Sequence, residues 1–292
     1  MEDYIVRATA AEGTIRAFAC VSTEMVAEAR RVHNLSPLAS AALGRTMTAA
    51  AMMSIMLKGP KDTLTIQIKG GGPLGGIIVA ADTFANVRGY VYNPQVDLPL
   101  NPAGKFDVGA AVGKGGYMNV IKDMGLKEPY IGYVNLVSGE IGEDLAYYYA
   151  YSEQVPSVVS LGVLVNPDES IANAGGYIIQ LMPGAEENVV DFLENKVNSL
   201  PSVTRLLAEG NRAEDILEMV LGEKGLKFVD ETGCRYKCNC SRERMERALL
   251  SLGRKEIKEL IEDQHDAELQ CHFCNTKYHF TEGQLREYLE LS

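Results

Sequence analysis

The sequence predicts an α+β fold built as an N-terminal sheet-and-helix core domain, a helical connector and a small, cysteine-bearing C-terminal domain. Three observations predict it. Strand-like segments are punctuated by glycine and accompanied by helices without any regular βαβ rhythm. A long, wholly apolar helix lies among them. Five of the six cysteines lie after residue 231, four of them in two close-spaced pairs, where apolar residues are sparse.

Tyr4 to Ala8 and Ile15 to Val21 read as the first strands. Ser36-Pro37 then offers an N-cap and an N1 proline, opening a helix expected to run to about Lys58 and, being apolar on every side, to be buried. Thr63 to Lys69 (TLTIQIK) alternates at period two and leads through KGGGPLGG into the strand-like IIVAAD and VRGYVY. No GK[ST] follows the glycines and strands flank them, so the segment reads as a tight sheet turn rather than a phosphate loop. Asn93 to Gly116 is rich in turn residues, and Tyr130 to Val137, Leu145 to Ser152 and Gly176 to Met182 are further strand candidates.

The texture changes at Gly184. Val189, Val190, Phe192, Leu193, Val197 and Leu200 recur at helical spacing, Pro201 interrupts, and shorter helical pieces follow in SVTRLLAEG and EDILEMVLGE. The stretch lacks the Gly/Ser composition of a coil linker, so its apolar faces must either cover something or be exposed. The expected domains are residues 1–183 (core), 184–231 (amphipathic connector) and 232–292 (C-terminal zinc-binding domain). The last contains a helix carrying Met245, Ala248, Leu249 and Leu252, the strand-like AELQ and KYHF around CHFC, and a final helix opened by a capping-box pattern at Thr281 to Gln284. A unit with so little core usually needs a staple.

Of the 292 residues 46% are hydrophobic, which excludes a disordered chain. The net charge of -11 disfavours nucleic acid and anionic membranes, apart from a local basic run: Arg235, Lys237, Arg242, Arg244, Arg247, Arg254, Lys255 and Lys258. The longest apolar stretch, Met47 to Leu57, is too short to span a bilayer, and the N-terminus has no apolar core of a signal peptide, so a cytoplasmic protein is expected.

In a reducing compartment, close-spaced cysteines point to metal or redox chemistry. Cys238 and Cys240 in CNC and Cys271 and Cys274 in CHFC supply four thiolates from two separate turns, the donor set of a tetrahedral Zn2+ site. Each close pair is also able to close into a disulfide, with strain for C-x-C. A passive zinc staple and a redox switch both fit this spacing. His265, His272 and His279 lie nearby and read as groups outside the ligand set; Cys234 is a fifth thiol able to substitute as ligand, join a disulfide or stay free; Cys20 reads as a core residue. His33 is the sole histidine before residue 265 and no nucleophile motif appears, so no catalytic residues are assigned and the chain is not expected to be an enzyme. Two other readings compete: a zinc-ribbon module binding nucleic acid or a protein partner through the basic run, and a thiol oxidoreductase using CHFC. The first lacks aromatic stacking platforms, and the second lacks a thioredoxin-like setting.

Across its whole length the chain resembles the heat shock protein 33 family of holdase chaperones. The resemblance rests on CNC and CHFC together with LGRTM (43–47), KGGGPLGG (69–76), VRGYV (87–91), VGKGG (112–116), YSEQVPS (151–157) and GGYIIQLMPGA (175–185). It implies an ATP-independent chaperone in which Cys238, Cys240, Cys271 and Cys274 bind one zinc in the reduced, inactive state. Peroxide or hypochlorous acid, with heat, would form the disulfides Cys238–Cys240 and Cys271–Cys274. The C-terminal domain and then the connector would unfold to hold unfolding client proteins, and the activated protein would dimerise. Cys234 is an addition to the family's four-cysteine pattern.

Overall fold

The computed structural model describes residues 2–185 and 187–291. The chain divides into two compact units, Met1–Lys237 and Cys238–Ser292.

The larger unit begins with β1 (Tyr4–Ala10) and β2 (Ile15–Val21), an antiparallel pair joined by a 3-10 turn, followed by α1 (Thr23–His33) and α2 (Pro37–Ser54). The Ser36 hydroxyl accepts from the Ala39 amide at 3.1 Å, the cap that the sequence predicts. α2 is buried along nearly its whole length, and its polar residues Thr46, Thr48 and Ser54 bond back to carbonyls of their own helix. Gly44 lets the neighbouring layers close on it: a Cβ there would lie 2.7 Å from Val26 and 2.8 Å from Val163. The helix stops short of the expected Lys58, because the amides of Met56 and Leu57 bond three residues back, tightening the last turn before Gly59-Pro60.

β3 (Thr63–Lys69), β4 (Ile77–Asp82) and β5 (Asn86–Val91) form an antiparallel set, then α3 (Val108–Val112), β6 (Tyr117–Asp123) and β7 (Tyr130–Asn135) follow. The glycine turn between β3 and β4 lies against the end of α3: a Cβ on Gly70 would come within 2.3 Å of the Val112 carbonyl oxygen. Amides of Gly72 and Leu74 donate to carbonyls of Val112 and Ala111, so the loop is a packed turn.

Leu145 to Ser152, expected as a strand, is instead the end of α4 (Ile141–Tyr148) and a π-helical turn over Tyr149–Glu153. The tyrosines favour a strand by propensity, but Ile141, Leu145 and Tyr148 are buried at helical spacing. Asp144, itself buried, accepts from the amides of Val137, Ser138 and Gly139 and fixes the entry to the helix. β8 (Ser157–Val165) and β9 (Ile171–Leu181) complete the core strands.

The connector contains α5 (Glu187–Ser199), α6 (Val203–Ala208) and α7 (Ala213–Leu221). It does not stay helical to its end, because β10 (Lys227–Gly233) pairs antiparallel with β1 and β11 (Arg235–Tyr236) runs parallel to β5. One sheet therefore has the order β10-β1-β2-β9-β8, and the other β11-β5-β4-β3-β6-β7. α2 fills the space between them. On the five-stranded sheet Ile5, Phe18, Cys20 and Ile178 face α2, while Val6, Ala8, Ala17, Ala19 and Ile179 face the other way, the period-two alternation of a sheet with two covered faces. What covers the second face is the connector: Leu193, Leu206, Leu217 and Val220 are buried on it.

The smaller unit holds α8 (Arg242–Leu250), α9 (Arg254–Gln264), the hairpin β12 (Ala267–Gln270) with β13 (Lys277–Phe280), and α10 (Glu282–Leu291). Its core consists of Leu249, Ile257, Ile261, Ala267, Phe280 and Leu285. The Thr281 amide donates to Gln284 Oε1 at 3.1 Å, one arm of the expected capping box.

Candidate metal centre

Two turns of the smaller unit carry the four thiols. Cys238 and Cys240 flank Asn239 in the irregular segment that leads into α8, whose N-cap Ser241 accepts from the Arg244 amide. Cys271 and Cys274 sit in the turn from β12 to β13. The Cys271 amide donates to the Thr276 carbonyl, and the amides of Cys274 and Asn275 donate to the Cys271 carbonyl. Asn275 takes φ of 59°, a left-handed position that asparagine tolerates.

All four sulfurs lie within 4.8 Å of one another. Cys238 and Cys271 are 3.7 Å apart and Cys240 and Cys274 3.3 Å, both contacts between the two arms. A metal bonded tetrahedrally to sulfur at about 2.3 Å sets the sulfurs about 3.8 Å from each other. The cluster therefore has the spacing of a metal site, and among the described residues its donors are these cysteines alone.

The electrostatics point the same way. Burial pushes the Cys238 thiol well up, with neighbouring thiols adding to it, and burial raises Cys271 as well. Burial also opposes ionisation of Cys274, but the hydroxyl and amide of Thr276 and the nearby sulfurs outweigh it and bring that thiol down to about 7. Four thiolates at this spacing repel one another, so a bound cation is what would let them all ionise. Tyr278 Oη lies 3.0 Å from Cys240, and that contact, followed by burial, raises the phenol to about 12. Toward a Cys240 thiolate the phenol can only donate. Thr276 Oγ1 lies 3.2 Å from Cys274.

The neighbouring residues sort cleanly. His279 Nε2 lies 3.3 Å from Asp266 and His265 Nδ1 3.6 Å from Glu282, so each faces a carboxylate. Of the basic run, Arg242, Lys255 and Lys258 pair with Glu246, Glu259 and Glu262 one turn along their own helices. Arg242 also lies over the Phe280 ring at 4.5 Å. Cys234 does not join the cluster; its sulfur lies 3.8 Å from that of Cys20 in the larger unit. That contact joins residues 214 positions apart and has no local signal in the sequence.

Comparison with known proteins gives this arrangement its context. Residues 3–281 match the family described as Hsp33 protein. The chain belongs to the Hsp33 family. Among its Hsp33 relatives, the 33 kDa chaperonin of Acetivibrio thermocellus is 61% identical over 98% of this chain and 96% of its own length. The 33 kDa chaperonin of Ruminiclostridium cellulolyticum is 60% identical over 96% of each. A crystal structure of the Hsp33 homologue of Thermotoga maritima superposes with a TM-score of 0.92 at 41% identity, covering 100% of this chain and 99% of that one. Hsp33 is a chaperone family, so the chain's general role is that of a chaperone rather than an enzyme. No described helix is long and apolar enough to cross a membrane.

Proposed function

We propose that the chain is a redox-regulated, ATP-independent holdase of the cytoplasm that prevents aggregation of unfolding proteins under oxidative stress. The observation that carries this reading is four mutually close thiols in a unit whose core, among the described residues, is six buried side chains. Cys238, Cys240, Cys271 and Cys274 would hold one Zn2+ per chain in the reduced, inactive form. Bound zinc would keep all four sulfurs as thiolates, the reactive form, while tying the two turns together.

One peroxide then takes two electrons from each thiolate pair, giving the disulfides Cys238–Cys240 and Cys271–Cys274, and its two oxygens leave as hydroxide that solvent protonates to water. Disulfide sulfur carries no ligand charge, so the tie is lost, and a core of this size does not hold the unit folded without it. The working parts are residues 1–183 as a stable core, 184–231 as the element that opens and 232–292 as the switch. Release of α5, α6 and α7 would bare the apolar face formed by Val6, Ala8, Ala17, Ala19 and Ile179, to which unfolding clients would bind. The opened chain would associate as a homodimer.

The test measures zinc release, a disulfide map and suppression of client light scattering before and after peroxide with mild heat. The expected result is one zinc released per chain, the two within-arm disulfides, and activity only after oxidation. Equal activity in both states would sink the switch, and a map dominated by Cys238–Cys271 and Cys240–Cys274 would sink the pairing.

A further inference from the structure

Cys20 and Cys234 stand apart from the four-sulfur cluster, and both are buried within Met1–Lys237. Cys20 lies on β2 and faces α2 among Phe18 and Met25. Cys234 follows β10 at the point where the chain leaves one sheet for the other, its amide donating to the Asp3 carbonyl at 3.0 Å. The two sulfurs are 3.8 Å apart and both thiols point to one acceptor, the Val21 carbonyl, at 3.5 and 3.6 Å. Bonding them asks for less than about 2 Å of sulfur movement, within reach of side-chain rotation.

Cys234 also lines a cleft of about 560 Å³, whose walls include Glu2, Asp3, Glu24, Glu28 and Arg235. With carboxylates outnumbering the guanidinium, the cleft disfavours anionic oxidants and anionic thiols and admits neutral hydrogen peroxide.

We propose that Cys20 and Cys234 are a second peroxide-sensitive thiol pair, whose disulfide staples the end of β10 to β2. The Cys234 sulfur attacks one peroxide oxygen, giving a sulfenic acid and releasing water. The Cys20 sulfur then displaces the hydroxyl from Cys234: the S–S bond forms, the S–O bond breaks, and the hydroxyl leaves with the Cys20 proton as a second water. Two electrons pass from the thiol pair to the O–O bond.

The consequence, though not the bond itself, rests on the switch reading above. Unfolding that starts in Cys238–Ser292 and spreads back along the chain would meet a covalent stop at Cys234. The staple would also keep Cys234 from mispairing with Cys238 or Cys240.

The test uses the full chain loaded with zinc. After treatment with peroxide, free thiols are alkylated under denaturing conditions and the protein is digested with trypsin without reduction. Peptides 17–30 and 228–235 separate this pair from 238–242, which carries Cys238 and Cys240. The expected product is 17–30 linked to 228–235 in at least half of the molecules at a fixed excess of peroxide over thiol.

Full alkylation of Cys20 and Cys234 at that level would overturn the proposal, as would Cys234 linked to Cys238 or Cys240. Each pair is read from its own peptides, so an unoxidised cluster speaks against the switch and leaves this answer intact. Oxidised wild type should also be cut by limited trypsin at Lys224 and Lys227 several-fold more slowly than oxidised Cys20→Ala. Equal rates, with the crosslink present in wild type, would remove the staple. Cys234→Ala serves as a second variant and should match Cys20→Ala.

Discussion

Met1–Lys237 closes two large apolar clusters around α2 and over the five-stranded sheet, whereas in Cys238–Ser292 the described residues close one small cluster around Phe280 and Leu285. The larger unit is held by area removed from water, spread over many side chains, and no single contact decides it. In the smaller unit the two turns that carry the thiols are joined to a thin core, so a metal held by the four sulfurs would supply a disproportionate share of the stability. On the proposed reading, one part of the chain resists local chemistry and the other depends on it.

The largest effect is expected from taking away a metal held by the four sulfurs. Structural zinc contributes about 10–16 kcal/mol in small zinc-dependent peptides, more than a core of this size supplies. Chelation, or Cys271→Ser, is expected to abolish amide-exchange protection in α8, α9 and α10 while β2, β3 and β9 stay protected. Protection surviving in both units would end the contrast.

Single core truncations come next. Phe280→Ala, at the centre of the small cluster, should cost about 3–5 kcal/mol and lower that unit's thermal midpoint while metal stays bound, measured by circular dichroism and zinc retention. Leu217→Ala, at 0% exposure against the sheet, should cost about 2–5 kcal/mol. It should loosen the connector without oxidation, seen as hydrophobic-dye binding by the reduced protein. No dye binding would argue that the connector's cover is held by more than this face.

Tyr278→Phe removes the hydroxyl 3.0 Å from Cys240 and should lower metal affinity about 10-fold in a chelator competition, leaving the fold intact. An unchanged affinity would show that the phenol does not support the sulfur.

A pH-dependent effect concerns Asp3, which accepts from the amides of Glu24 and Met25 at the start of α1. Burial raises its carboxyl to about 6 in spite of those bonds, against about 3.9 in an unfolded chain. The folded state therefore binds the proton more tightly, and Asp3's contribution is fully present below about pH 4 and lost as pH rises through about 6. Asp3→Asn should flatten the denaturant midpoint of the larger unit across that window. An undiminished slope would place the titration elsewhere.

Local signals made much of this legible in the sequence. Ser36-Pro37 marked the start of α2, period two marked β3, and the CHFC turn between AELQ and KYHF marked the hairpin. The connector's helical spacing also marked apolar faces that either cover something or are exposed, and the structure has them covering a sheet. What it covers was not legible, because that depends on which strands pair far along the chain. Lys227–Gly233 returning to β1 is such a pairing, and so is Cys234 reaching Cys20. At Leu145 to Ser152 aromatic propensity pointed to a strand, and burial at helical spacing prevailed.

The face beneath the connector is notable for its relief. Ala8, Ala10, Ala17 and Ala19 make much of it, and alanine has no rotamers to lose and little volume to interlock. A surface paved with methyl groups asks no particular shape of what lies on it, so its contacts are readily exchanged for others of similar area. Smoothness is what allows one ground to fit many covers.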